Sequence, residues 1–401
     1  MIVATATFAA AATSRAQETV VINDQTQTGD IFSGQTLNVV DVEDATIVVT
    51  TATGNALSGA VESGDLSLTS TQSMQGDATA VTTVNGAGSI GAPVSILSEA
   101  VGNTGDAGAY GANMDATVLQ TSGAVAITAR TEINATVGGQ MPAGGAVSAT
   151  AIANSQAFGV DNGELVADVT QNSSALVQAD VAASVQYIPD GAVFSAAAVS
   201  NNVSSSGTMS ATDVTAMQVM NGPRTQASTL VTSANAWEVQ GSAAATANNV
   251  AVTNADGPLT VDSAQTNASY LQADTVVDSY AFGLASAQAY GVGNSMLAGN
   301  TGEDVRIDSN QLNSGGVEVS AQFNGNNGYD AYVDSTAVGN AATGYNCSDC
   351  PGTLTANNRQ TNTGGVSSTS TVNITGSNRN VVGTSTAVGN TASFWVSSPG
   401  G

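Results

Sequence analysis

Of the side chains that usually carry chemistry, this 401-residue sequence has 31 carboxylates, six arginines and two cysteines, and neither lysine nor histidine. Without imidazole or an ammonium group, Ser-His-Asp and Cys-His catalysis, Schiff-base chemistry and imidazole metal sites are excluded. Carboxylate chemistry survives. Close pairs such as Asp274 with Asp278 and Glu303 with Asp304 are the type a polysaccharide hydrolase would use. With 31 acids in the chain, chance pairs are common, and these are read as solvated surface carboxylates. A lyase acting on sugar acids would want a Lys or Arg base, and after the first residues only Arg130, Arg224, Arg306, Arg359 and Arg379 remain. The chain is therefore read as non-enzymatic, with a secreted polysaccharide lyase, hydrolase or depolymerase as the alternative. No catalytic residue and no cofactor is expected. Calcium is the ion that so many carboxylates would suit, although the nonapeptide glycine-aspartate repeat of calcium-binding rolls is missing.

The cysteines, Cys347 and Cys350, lie in "YNCSDCPGT". Two ligands are too few for a structural zinc site, so a small local disulfide in an oxidising compartment is preferred, with a labile redox pair and a metal site as alternatives. A formal charge of −25 repels polyanions, and nucleic acid is excluded as a partner. Aromatics are scarce, at 4 %. Phe158, Tyr345, Phe394 and Trp395 fall four or five residues after a recurring Asn, which would align them along one edge, either as a platform for sugar rings or as a satellite core.

What must position all of these is a repeat. Asn55, Asn103, Asn154, Asn201, Asn248, Asn294, Asn340 and Asn390 recur at steps of 46 to 51 residues, each preceded by a small residue and, two before, by a β-branched one. "STAVGN" at 335–340 and 385–390 is the best-preserved copy. A second series runs through Gln25, Gln72, Gln120, Gln171, Gln218, Gln265, Gln311 and Gln360. From Asn to the next Gln the interval is 17 in six consecutive cases, whereas Gln to Asn varies from 29 to 34. One half of each repeat is fixed in length and the other tolerates insertion; the cysteines sit where 17 becomes 20.

Around both series apolar or small residues alternate with polar ones, a period of two that predicts strands with one face buried. Equivalent amides stacked about 4.8 Å apart can bond to the copies above and below, so both series are read as structural ladders inside a scaffold. The fold expected is an all-β solenoid, β-helix-like, of about eight repeats of 46–51 residues, with no separate cap domain. One wide rung per repeat is favoured over two narrow ones, because no second Gln series appears at the half-period. Residues 1–16 are read as a signal peptide whose start lies upstream, and 17–401 as a single repetitive domain, exported and soluble or surface-bound. The repeat opens and closes at the same phase, which favours self-association by stacking.

With "VVINDQTQTGD" near its start and "STAVGN" near its end, the region 17–401 resembles the holdfast anchor proteins of the HfaD type from stalked alphaproteobacteria. That resemblance implies a multimeric, outer-membrane-associated protein that ties the adhesive holdfast polysaccharide to the envelope. It also implies a curli-type secretion lipoprotein and a curli-like companion as partners. It brings no catalytic residues.

Overall fold

A computed structural model describes residues 18–123, 125–347 and 352–396. The expected leader at 1–16 lies outside the described residues. Val, Ile, Thr and small residues in alternation give strands almost throughout, and the strands group into eight successive sets. The first three sets are β1 (Thr19–Gln27), β2 (Ile31–Val39) and β3 (Thr46–Val61), then β4 (Leu66–Met74), β5 (Ala78–Gly86) and β6 (Val94–Tyr110), then β7 (Met114–Ser122), β8 (Ala126–Gln140) and β9 (Gly145–Asp161). In the next four sets the second and third strands run on as one. These are β10 (Glu164–Ser173) with β11 (Leu176–Thr208), β12 (Ala211–Met220) with β13 (Arg224–Ala255), β14 (Leu259–Asn267) with β15 (Tyr270–Thr301), and β16 (Val305–Asn313) with β17 (Val317–Asn346). The last set is β18 (Leu354–Asn362), β19 (Val366–Ile374) and β20 (Asn380–Val396).

Each set pairs in parallel only with the sets before and after it. One sheet has eight strands in the order β1-β4-β7-β10-β12-β14-β16-β18, and the remaining strands make a second sheet of twelve. The molecule is thus a β-solenoid with one rung per repeat. At about 4.8 Å per rung the eight rungs rise roughly 40 Å.

The register is set by the repeat itself: every ladder Gln pairs with a Gln and every ladder Asn with an Asn in the neighbouring rungs. The cross-section has two lobes. One apolar cluster fills the space between the second strand and the first half of the third, with Val84, Ile96, Ile133, Val177 and Phe194 among its members. The other lies between the Gln-bearing strand and the second half of the third, with Leu68, Met114, Leu165, Val214 and Ile307.

Between the lobes the third strand bends. In β3 the inward set shifts at Thr53 and Gly54, so that Ala52 and then Asn55 point in. The residue before each Asn occupies this bend, against the backbone of the next rung. A Cβ on Gly54 would meet the Gly102 carbonyl oxygen at 2.4 Å, and one on Gly102 the Ala153 oxygen at 2.6 Å, so only Gly, Ala or Ser is found there.

Candidate functional site

At the waist between the lobes the two amide series face each other. Each Gln donates an Nε2 hydrogen to Oε1 of the Gln one rung earlier: Gln72 to Gln25 at 3.0 Å, Gln120 to Gln72 at 2.8 Å, Gln171 to Gln120 at 2.7 Å, Gln218 to Gln171 and Gln265 to Gln218 at 2.9 Å, Gln311 to Gln265 at 2.7 Å and Gln360 to Gln311 at 2.8 Å. The Asn series runs the other way. Asn55 donates to Asn103, Asn103 to Asn154, Asn154 to Asn201, Asn201 to Asn248, Asn248 to Asn294, Asn294 to Asn340 and Asn340 to Asn390, at 2.7–2.9 Å. The two columns of amide dipoles are therefore antiparallel, and their fields largely cancel along the axis.

The remaining amide hydrogens tie the two sheets together. Each Gln reaches the carbonyl of the residue after the Asn of its own rung, as Gln72 reaches Thr104 O at 2.9 Å and Gln171 reaches Asn202 O at 2.8 Å. Each Asn from 55 to 340 reaches the carbonyl of the residue after the Gln of the next rung, as Asn103 reaches Thr121 O and Asn201 reaches Val219 O, both at 3.0 Å. Asn103 and Gln171 are fully buried, yet every amide hydrogen and one lone pair of each is used. A buried amide is tolerable only on those terms. These second bonds also fix which end of each amide is nitrogen. Among the described residues, Gln25 at the first rung keeps one Nε2 hydrogen and Asn55 its Oδ1; at the eighth, Gln360 keeps its Oε1 and Asn390 its Nδ2 hydrogens.

A third Asn series escapes the sequence reading. Asn254, Asn300 and Asn346, each six residues after a ladder Asn, are buried at the corner where one rung passes to the next. Their Nδ2 groups donate to turn carbonyls: Asn254 to Gly257 O at 3.0 Å, Asn300 to Gly257 O at 2.7 Å, Asn346 to Glu303 O at 3.0 Å. The constant offset of six was the available signal.

Of the two readings of the aromatics near the ladder Asn, the satellite core holds for Phe158 and Phe394. Phe158 is only 3 % exposed and belongs to the second lobe, and Phe394 packs against that lobe, because both point inward from the end of the third strand. Tyr345 stacks on Trp395, their ring centroids 5.7 Å apart. The open aromatic surface lies elsewhere, at the corner where the second strand bends into the third. Trp237, Gly283, Tyr329 and Arg379 occupy equivalent positions there in the fifth to eighth rungs, eleven residues before the ladder Asn. Trp237 is 61 % exposed and Tyr329 53 %. The absent side chain of Gly283 leaves room for the indole: a Cβ there would lie 3.0 Å from Trp237 Cε3. Trp237 and Tyr329 meet edge to face, centroids 6.3 Å apart and planes at 71°. Arg379 lies over the Tyr329 ring at 5.7 Å and is paired with Asp330, whose carboxyl it holds below the usual range. Trp237, Gly283 and Tyr329 line, with Tyr187, Asn235 and Asn327, a groove of about 510 Å³, and Arg379 lies beside it.

Asp274 and Asp278 lie on the same outer face of β15, about 13 Å apart along the strand, beyond the spacing of a glycosidase pair. Burial raises the pKa of Asp274, partly offset by Gln272 and Arg224. Asp304 is held down by the backbone N–H and the hydroxyl of Thr353. Among the described residues no group of three or more His, Cys, Asp or Glu side chains is arranged to hold a metal. Cys347 directly follows β17; Cys350, and with it the expected bridge, lies outside the described residues. No helix among the described residues is long and apolar enough to cross a membrane.

A family model described as Holdfast attachment protein D matches residues 40–316 of the chain. No curated protein and no solved structure matches.

Proposed function

The chain belongs to the holdfast attachment protein D family, and on that premise we propose that it is an exported, non-enzymatic anchor at the outer envelope that joins an adhesive polysaccharide to the cell as a multimer. The observation that carries this reading is the unbroken in-register stack of eight rungs, braced at its waist by two amide columns. Such a stack resists local opening because each rung is hydrogen-bonded along its length to its neighbours. A rigid rod with chemically repetitive faces suits a mechanical link better than turnover. Multimer formation is supported by the unused amide groups, which are complementary head to tail: the Gln25 hydrogen with Gln360 Oε1, and the Asn390 hydrogens with Asn55 Oδ1. A curli-like companion and a secretion lipoprotein are proposed as partners on the ground of family likeness alone.

Deleting the gene and following the adhesive with a labelled lectin tests the reading. Cells should still make the polysaccharide but shed it into the medium; cells that keep it at wild-type level would sink the anchor role. Purified protein incubated with neutral and acidic polysaccharides should release no oligosaccharide, and sustained release would replace the anchor by an enzyme. Sedimentation should show higher species as concentration rises, and monomer alone at the highest concentration would remove the multimer.

A further inference from the structure

We propose that the corner groove over the fourth to eighth rungs is a binding site for an uncharged polysaccharide of pyranose units, its chain lying along the solenoid axis. This deepens the anchor reading above and rests on it. Pyranose rings present a C–H-rich face that loses water favourably against an aromatic ring, with hydroxyls around the edge that need polar partners. The groove supplies both.

Trp237 and Tyr329 stand as floor and wall at 71°, each more than half exposed. Neither ring has to be ordered on binding. The indole is seated over Gly283, and the phenol is backed by Arg379, itself fixed by Asp330. Pre-set rings lower the entropy lost in binding. Beside them Asn235 and Asn327 hold one register column of the sheet, Asn235 being paired with Ala281 and Ala281 with Asn327. Asn327 Oδ1 accepts from Ser377 N at 3.1 Å, which leaves its Nδ2 for a hydroxyl or acetamido oxygen.

Length and charge define the ligand further. From Tyr187 in the fourth rung to Ser377 in the eighth the groove crosses four rung spacings, about 19 Å. That is too long for a single sugar and matches a chain segment. The lining of the groove is uncharged; beside it Asp330 is paired with Arg379, the Glu238 carboxylate accepts from Gln240, and the whole chain carries −25. A polyanion is repelled, whereas an uncharged chain is not.

The test uses the full chain with Trp395→Phe as background, so that the one remaining tryptophan, Trp237, reports on the groove. Chitohexaose and cellohexaose are titrated by calorimetry and fluorescence, with sodium alginate as the acidic comparison. Binding of a neutral oligosaccharide should shift the Trp237 emission. Trp237→Ala and Tyr329→Ala should each weaken it at least about tenfold, which corresponds to ~1.4 kcal/mol, while Trp237→Phe keeps most of the affinity. Circular dichroism identical to the parent shows that the variants fold. If wild type binds and Trp237→Ala binds equally well, the site is wrong while the anchor reading stands. Tighter binding of alginate overturns the chemical class. If neither neutral oligosaccharide binds, the site is overturned, and the gene-deletion experiment then decides the anchor reading separately.

Discussion

Gln171 donates to Gln120 and to Asn202 O and accepts from Gln218, all directly, and is fully buried. Gln171→Leu keeps the volume but leaves two acceptors and one donor orphaned in the waist, so it should cost about 3–6 kcal/mol. Gln25→Leu, at the half-buried first rung, leaves only the Gln72 Nε2 hydrogen and the Ala56 carbonyl without that partner and should cost less, about 1–2 kcal/mol. Chemical denaturation of both variants checks the contrast, and equal losses would mean that the column is not a connected network. The same scale shows where sequence was legible. Gln and Asn recur at near-constant intervals, so their alignment could be read directly from spacing. Trp237, Gly283, Tyr329 and Arg379 share an offset but no chemistry, and they could not be recognised as one site until the rungs were stacked. Spacing likewise left Phe158 open between an exposed edge and a satellite core: distance from the ladder Asn tells where a residue lies along the strand, but the bend before Asn shifts which side faces in.

At the level of the element, the turns after the third strand carry the clearest strain. Eight residues beyond the ladder Asn the chain enters the left-handed region, at Gly111 (φ 63°), Asn162 (φ 55°), Met209 (φ 49°) and Asp256 (φ 58°). Gly, Asn and Asp accept this conformation; Met does not. Met209 is 54 % exposed, so little packing is lost on replacement. Met209→Gly or Met209→Asn should raise stability by about 0.5–1 kcal/mol, read as a higher denaturation midpoint. No gain would indicate that the turn relaxes in solution. Register offers a second check. One Ala inserted within β11 after Val203 would turn every later inward side chain of that strand outward, and should abolish protease resistance of the neighbouring rungs. One inserted between β2 and β3, where repeat lengths already vary, should leave resistance near wild type.

For the whole molecule the dominant variable is charge. Burial raises the pKa of Asp180 and of Asp274; Asp213 is raised by burial and by its neighbours Asp262 and Asp168, against Arg306. For these groups the folded state holds protons more tightly than the unfolded chain, so their contribution is fully present below the unfolded value of 3.8 and is lost as pH rises through the folded one. Asp304 and Asp330, held low, act oppositely and weaken the fold only as pH drops below 3.8. Acidification from neutral pH toward the unfolded value of 3.8 should therefore raise the thermal midpoint, helped by relief of repulsion, and added salt at neutral pH should also raise it. A midpoint that falls steadily over that range would contradict the balance. The sequence by itself determined the number of rungs, their register and the two amide columns, because a repeat that stacks on itself writes its contacts as identity at fixed spacing. Only the tertiary structure decided that the interior divides into two lobes, that the columns run antiparallel, and that an aromatic groove opens at one corner. These depend on how unlike residues from different strands meet in space, which spacing along one chain does not encode.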